Sequence, residues 1–295
     1  ERNRKMRKRL KRYNVEHWAK EFMKGLNLQS KNTIKSSATI IDENVLKKIK
    51  SHFVSSKNRL IMLDYDGTII DFNDKPKLAI PSQKLKNLIN DICKKESTDV
   101  YIISGRDQKF LSKHFDDLSI NLIAEHGYFK KPVNKTWVEP NFLENQDWMT
   151  DLLPIFETFT DRTPGTFIEK KKTSLVWHYR KTDPELASER VVEFKTVLNS
   201  LASDELQILD IVKGIEVSRG TINKGKSVID ILSEKKYDFI LAAGDDITDE
   251  SMFASLSSET FSIKIGRKKT KANYFVDSPA ELISVLEYII KTPGN

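Results

Sequence analysis

Four consecutive apolar residues, Leu60 to Leu63, run straight into Asp64-Tyr65-Asp66-Gly67-Thr68. So short an unbroken apolar run reads as a strand buried on both faces, as in a parallel sheet covered by helices on each side. Ligands in open α/β sheets bind beyond the carboxyl ends of the strands, which is where this pair of carboxylates falls. One carboxylate there is able to attack phosphorus or hold a metal, and the next to move a proton. Gly67 permits a tight turn, and the Thr68 hydroxyl can serve an anion. A bare Asp-x-Asp is common in loops. The apolar run before it and the Gly-Thr after it give this one its meaning.

The same grammar recurs on either side. A helix over Ile41–Phe53 leads into the first strand. A second helix spans Pro81–Lys95, with Leu85, Leu88, Ile89 and Ile92 on one face and Pro81 and Ser82 suited to its start. A strand over Asp99–Ile103 ends in Ser104-Gly105-Arg106, a helix follows from Asp107 to Phe115, and a strand over Asn121–Ala124 ends in Glu125-His126-Gly127. Far downstream, Lys224 opens a helix running through Ile231, and a strand over Tyr237–Ala243 ends in Gly244-Asp245-Asp246-Ile247-Thr248-Asp249-Glu250. A strand over Phe261–Ile265 and a helix over Ala280–Ile290 close the chain. Strand, polar end, helix, strand predicts a doubly wound, mostly parallel, Rossmann-like α/β sheet.

Between these halves the pattern changes. Helices are expected over Phe142–Phe159 and Pro184–Leu201, and strands over Thr166–Lys170, Ser174–Arg180, Leu206–Leu209 and Ile215–Ser218. Two helices and four strands make a small α+β layer inserted in the first unit. The expected organisation is a basic helix and linker over 1–42, the α/β core over 43–140 and 220–295, and an α+β cap over 141–219.

At 295 residues the chain is long enough for two units, and an apolar content of 39% supports a proper core. The net charge of +7 suggests nucleic acid until it is located: residues 1–26 hold ten Lys/Arg against three Asp/Glu, which accounts for all of it. The rest is formally neutral, so no nucleic-acid face is expected of the main unit. Val15, Trp18, Ala19, Phe22, Met23 and Leu26 lie on one helical stripe in this basic segment, and residues 27–42 read as a polar linker. No stretch has the length of a membrane span and no secretory signal opens the chain. Cys93 is the only cysteine, which excludes an intrachain disulfide or a cysteine metal cluster and fits a reducing, cytoplasmic setting.

The strand and helix ends carry distinct chemistry: Asp64 and Asp66 a nucleophile and an acid/base, Ser104 a hydroxyl, Lys224 a cation, Asp245, Asp246 and Asp249 further carboxylates. Phosphoryl transfer needs this mixture. A carboxylate and a phosphate oxyanion 4 Å apart repel by about 4 kcal/mol at an effective dielectric of 20. A hard cation held by oxygen ligands offsets that, and Mg²⁺ matches.

The set DxDGT, SGR, Lys in NKG and GDDxTDE resembles haloacid dehalogenase-type phosphatases, over residues 58 to about 290. The resemblance implies Asp64 as the nucleophile forming an aspartyl-phosphate, Asp66 as acid and then base, and Ser104 and Lys224 on the phosphoryl oxygens. It implies Mg²⁺ on Asp64, the backbone carbonyl of Asp66, Asp245, and Asp249 directly or through water. In the insertion, Gly165-Thr-Phe-Ile-Glu169-x-Lys171-x-x-Ser174-Leu-x-Trp177-His178-Tyr179-Arg180 and Lys213-Gly-Ile-Glu216-Val, together with Glu125-His126-Gly127, are similar to trehalose-6-phosphate phosphatases. That resemblance implies hydrolysis of trehalose 6-phosphate, with Glu169, Lys171, Arg180, Lys213 and Glu216 on the sugar, His126, Gly127 and His178 beside them, and Arg106 reaching substrate, cap or a carboxylate. Trp177 can stack on a sugar ring, but a strand Trp is more often core. The resemblance further implies synthase subunits of a trehalose-synthesis complex as partners and a longer, fungal parent chain. Two alternatives stay open: a phosphatase for another sugar phosphate such as sucrose 6-phosphate, and a catalytically silent module of a sugar-synthesis complex.

Overall fold

The computed structural model describes residues 38–73, 76–139, 147–201 and 205–291. The basic segment over residues 1–26, most of the polar stretch after it, and the first turn expected of the helix at 142 lie outside the described residues.

The first part of the chain forms β1 (Thr39–Ile40), α1 (Glu43–Ser55), β2 (Arg59–Leu63), α2 (Gln83–Cys93), β3 (Thr98–Ile103), α3 (Gln108–Phe115), β4 (Asn121–Ala124) and β5 (Phe129–Lys131). The middle part forms α4 (Asp147–Asp161), β6 (Phe167–Lys170), β7 (Ser174–His178), α5 (Pro184–Leu201), β8 (Leu206–Ile211) and β9 (Gly214–Arg219). The last part forms α6 (Lys224–Glu234), β10 (Phe239–Gly244), α7 (Ile247–Ala254), β11 (Phe261–Ile265), β12 (Tyr274–Val276) and α8 (Pro279–Ile290).

Among the described residues these strands make two sheets. The larger runs β1-β12-β11-β10-β2-β3-β4-β5 and is parallel throughout except for the β4–β5 pair. The order reverses at β2: the chain winds outward through β3 and β4, then returns to β10 on the other side. Such a switch point opens a crevice at the carboxyl end of β2.

Strand periodicity sorts the core. Ile61, Leu63, Val100, Ile102, Leu241 and Ala243 face one way, against apolar residues of α1, α2 and α8. Leu60, Met62, Ile103 and Ala242 face the other way, against Val228 and Ile231 of α6 and Met252 and Phe253 of α7. Both faces are covered, as the unbroken apolar run at Leu60 requires. The helix starts are fixed locally: Ser82 accepts from the Leu85 amide, Asp107 from Phe110, Asn223 from Lys226 and Ser278 from Glu281.

The smaller sheet, β6-β7-β9-β8, is antiparallel throughout. One face packs on α4 and α5 through Leu175, Trp177, Ile215, Val217, Phe156 and Phe194. Trp177 is fully buried there, as expected of a core residue; burial of so large a side chain contributes roughly 3 kcal/mol. Alternation puts Glu169, Ser174, His178 and Glu216 on the opposite face.

Four elements, β1, β5, β12 and α7, escape the periodicity. Thr39 and Ile40, read as the end of a linker, instead pair with Tyr274 and Phe275 at the sheet edge. β5 and β12 have three residues each. Residues after Asp246 wind into α7, held by a reciprocal cap in which Asp246 and Asp249 each accept from the other's side of the turn. No helix among the described residues is long and apolar enough to cross a membrane.

Candidate active site

Asp64 leaves the carboxyl end of β2, Asp245 the end of β10, and Lys224 is the first residue of α6. Residues far apart in the chain therefore meet at the switch point. Lys224 is buried, and its ammonium donates to Asp64 Oδ1 at 2.6 Å and to Asp249 Oδ1 at 2.7 Å. The Thr68 hydroxyl, also buried, lies 3.1 Å from Asp64 Oδ2 and 3.3 Å from Asp245 Oδ1. Gly67 has φ +75°, and a Cβ there would stand 2.4 Å from Asp245 Oδ2. The turn needs the missing side chain both for its backbone angle and for the close approach of Asp245.

Asp64, Asp245 and Asp249 each offer a carboxylate oxygen within 4.8 Å of the others. Against these three stands one ammonium. Burial pushes the Asp64 carboxyl up to about 6, with Lys224 pulling back and Asp249 adding to the rise. Burial pushes Asp245 up to about 8, and the charge of Asp64 adds to it. Lys224 is desolvated too, but Asp249 and Asp64 outweigh that and raise it, so it stays charged. This is a donor set of hard oxygens with unneutralised negative charge, which fits a divalent cation of the magnesium class. Asp249 is the least available donor: one oxygen is on Lys224 and the other accepts from the Asp246 amide at 3.0 Å.

The carboxylate of Asp66 points elsewhere. Arg106 grips it with two bonds, Nε to Oδ2 at 2.6 Å and Nη2 to Oδ1 at 2.5 Å, and stacks over Phe110 at 4.3 Å. Of the readings open for Arg106, the structure realises the pairing with a carboxylate. Ser104, at the end of β3, is buried and its oxygen accepts from the Arg106 amide at 3.1 Å.

The insertion's polar residues form two groups. Glu216 is buried and accepts from Ser174 Oγ at 2.5 Å, with Lys171 Nζ at 3.3 Å and His126 Nε2 at 3.6 Å. Lys171 also reaches the Gly105 carbonyl at 3.4 Å, which ties this cluster to the end of β3. Burial alone would raise Glu216, but Lys171 and His126 outweigh it and hold the carboxyl far below its usual range. In the second group His178 Nε2 meets Glu169 Oε2 at 2.8 Å. That contact, against partial burial, lowers Glu169. Arg180 reaches back to the core, lying 5.0 Å over the Phe72 ring and 3.4 Å from the Asn73 carbonyl. Lys213 is exposed at the β8–β9 turn, with φ +58° and its carbonyl accepting from Tyr179.

Sequence reasoning missed Glu125. It is buried, and its carboxylate accepts from both the amide and the hydroxyl of Thr173, at 3.1 and 2.8 Å, which joins the core to the insertion. Glu125, His126 and Gly127 have φ of +47°, +59° and +130°. Three successive residues in that region make a strained turn, and strain of this kind persists only where surrounding contacts over-determine it. Here Glu125 and His126 amides donate to the Arg106 and Ser104 carbonyls, both at 3.0 Å. At Gly127 a Cβ would meet Ser227 Oγ at 2.6 Å. His126 Nδ1 is buried with no hydrogen-bond partner among the described residues. Lys264 was missed as well. It is buried on β11, 3.1 Å from both the Asp246 carbonyl and Glu250 Oε1, beneath the acidic turn.

Comparison with known proteins gives one consistent picture. The trehalose-phosphatase family model matches residues 62–280. A bifunctional trehalose-6-phosphate synthase/phosphatase of Thermoproteus tenax is 33% identical over 97% of this chain and 39% of its own length. A trehalose-phosphatase of Schizosaccharomyces pombe is 35% identical over 95% of this chain and 36% of its own length. The chain thus spans somewhat more than a third of these relatives. Among solved structures, the C-terminal domain of Candida albicans trehalose-6-phosphate phosphatase superposes with a TM-score of 0.79 at 30% identity, over 86% of this chain and 98% of that one.

Proposed function

The chain belongs to the trehalose-phosphatase family, on a haloacid dehalogenase-like fold, and from that premise we propose that it hydrolyses trehalose 6-phosphate to trehalose and phosphate through an aspartyl-phosphate on Asp64. The observation that carries the reading is the convergence of Asp64, Asp245 and Asp249 within 4.8 Å of one another beside one buried ammonium that bonds only Asp64 and Asp249, which leaves negative charge for a cation to neutralise.

In this reading an Asp64 oxygen attacks phosphorus and the bond from phosphorus to the sugar's 6-oxygen breaks. Asp66 gives its proton to that departing oxygen, then takes one from the water that attacks the phosphoryl group, and Asp64 is freed as phosphate leaves. Arg106 must yield at least one Asp66 oxygen for this to happen, since both are held in the structure described here. Lys224 stays charged beside Asp64 and with the Ser104 hydroxyl meets the phosphoryl oxygens. Asp64, Asp245 and, through water, Asp249 would hold Mg²⁺, with the Asp66 carbonyl completing the set. When bound, Mg²⁺ neutralises part of the charge that a phosphate dianion brings to an aspartate.

Glu169, Lys171, His178, Arg180, Lys213 and Glu216 are assigned to the sugar hydroxyls. His126 joins them, its Nδ1 being a buried polar atom in want of a partner. Synthase domains are the proposed partners, on the strength of the fused relatives. A cytoplasmic setting is proposed from the single cysteine, Cys93, which leaves no intrachain disulfide to form.

The test is phosphate release with Mg²⁺ from trehalose 6-phosphate and from sucrose 6-phosphate. The expected result is faster release from the former, and a phosphoryl group trapped by acid quench on the peptide bearing Asp64. Faster cleavage of sucrose 6-phosphate ends the substrate assignment, and turnover surviving Asp64→Asn ends the nucleophile assignment.

A further inference from the structure

Phe167 opens β6 with half its surface exposed, an unusual place for a large apolar ring. Its exposure is not disorder of the strand: Phe167 pairs with His178 across β6 and β7. The two rings stack, with centroids 4.4 Å apart and planes 17° from parallel. His178 is in turn fixed by its 2.8 Å bond to Glu169. The Phe167 ring therefore has a rigid aromatic backing on one side and solvent on the other.

Alternation along β6 puts Phe167 on the same face as Glu169, away from the α4/α5 core. Lys171, two residues past Glu169, continues that line and touches the Gly105 carbonyl next to Ser104. Lys171 thus marks the end of this face nearest the phosphoryl site, and Phe167 the far end. An extended strand separates the two by about 13 Å, the scale of two pyranose rings in line.

We infer that Phe167, backed by His178, is a stacking platform for the sugar ring farther from the phosphate, and so a residue that selects a disaccharide over a monosaccharide phosphate. The chemistry is that of a pyranose, whose axial C–H groups form a weakly positive apolar patch suited to the negative face of an aromatic ring. The hydroxyls around the rim of the same ring go to Glu169 and its neighbours. The inference rests on the trehalose 6-phosphate reading and deepens it.

The experiment is steady-state kinetics of the full chain with Mg²⁺ on trehalose 6-phosphate, for wild type, Phe167→Ala and Phe167→Tyr, with melting curves of each. Phe167→Ala is expected to raise KM about fivefold, the scale of one aromatic contact. Its kcat stays near wild type because the reacting atoms are at the other end of the face. Phe167→Tyr keeps the ring and restores KM. An unchanged KM in Phe167→Ala, a loss in kcat alone, or a Tyr variant as weak as the Ala variant overturns the platform while leaving the proposed function standing. A wild-type chain inert toward trehalose 6-phosphate overturns the proposed function, and the platform with it.

Discussion

Two carboxylate sites in this molecule are built on opposite electrostatic plans. At the end of β2, Asp64, Asp245 and Asp249 cluster beside one ammonium that bonds Asp64 and Asp249, and burial pushes Asp64 up to about 6 and Asp245 up to about 8. Under the insertion, the single carboxylate of Glu216 has Lys171, His126 and Ser174 around it and is pushed down. The first site holds more carboxylates than its ammonium offsets; in the second the Glu216 charge already faces Lys171 and His126. Burial acts on both in the same direction, so the difference lies wholly in the count of partners. A site that binds charge must be left short of it, whereas a site that joins two layers must not be.

The largest test of that contrast is one substitution in each site. Asp64→Asn removes a charge the protein alone cannot neutralise. Phosphate release should fall roughly 10⁴-fold, while the metal-free protein melts at a higher temperature than wild type. Glu216→Gln should do the reverse: it leaves Lys171 without its carboxylate and costs about 3 kcal/mol of stability, with activity reduced mainly through KM. Thermal melts in EDTA paired with assays in Mg²⁺ read both. If Asp64→Asn lowers the metal-free melting temperature, the acidic site is not under-neutralised and the contrast fails.

Proton and metal linkage come next in size. The raised Asp64 and Asp245 bind protons more tightly folded than unfolded. Their stabilisation is full below the ordinary carboxylate value of 3.8 and is lost as pH climbs through about 6 and then about 8. Glu216 works the other way. Its contribution is present above 4.5 and is lost as pH falls below that value. In EDTA the melting temperature should decline from mildly acidic pH toward pH 8, and Mg²⁺ should restore more at pH 8 than at pH 5. Because the cation displaces a proton from Asp245, its dissociation constant should tighten about tenfold from pH 6 to pH 7. Calorimetric titration measures this; an affinity flat across that range would mean Asp245 is already ionised without metal.

Local pattern carried most of the acidic site and little of the Glu216 site. Asp64, Ser104 and Asp245 each end an apolar strand, so their placement follows once the sheet is inferred, and Lys224 follows from the helix it opens. The second site is made by pairings between distant segments: Thr173 with Glu125, Lys171 with Gly105, His126 with Glu216. No periodicity encodes such a pairing. Glu125-His126-Gly127 was visible as a motif, but the strained turn that aims Glu125 at Thr173 was not. Lys264 marks the limit of alternation as a guide. In Phe261–Ile265 every residue is buried, so the charged side chain finds Glu250 and a carbonyl where solvent would be expected.

The smallest effects come from making one substitution twice. Thr68 and Thr173 are both buried, and each gives a hydroxyl to a carboxylate, so Thr→Val removes the same atom from each site at nearly constant volume. At Thr173 the amide still donates to Glu125 at 3.1 Å, and only the 2.8 Å hydroxyl bond is lost. A buried carboxylate deprived of one of two donors should cost about 1 kcal/mol, a fall of a few degrees in melting temperature, with kcat nearly unchanged. At Thr68 the single hydroxyl proton lies between two carboxylates of the proposed cation site. Its loss should scarcely move the melting temperature in EDTA, because the protonated Asp245 compensates. It should lower phosphate release roughly tenfold, because the second oxygen of Asp64 is no longer oriented for the proposed attack. Measured side by side, the two variants should divide stability from activity; if both lose the same quantity, the two sites are one cooperative unit and the distinction between them dissolves.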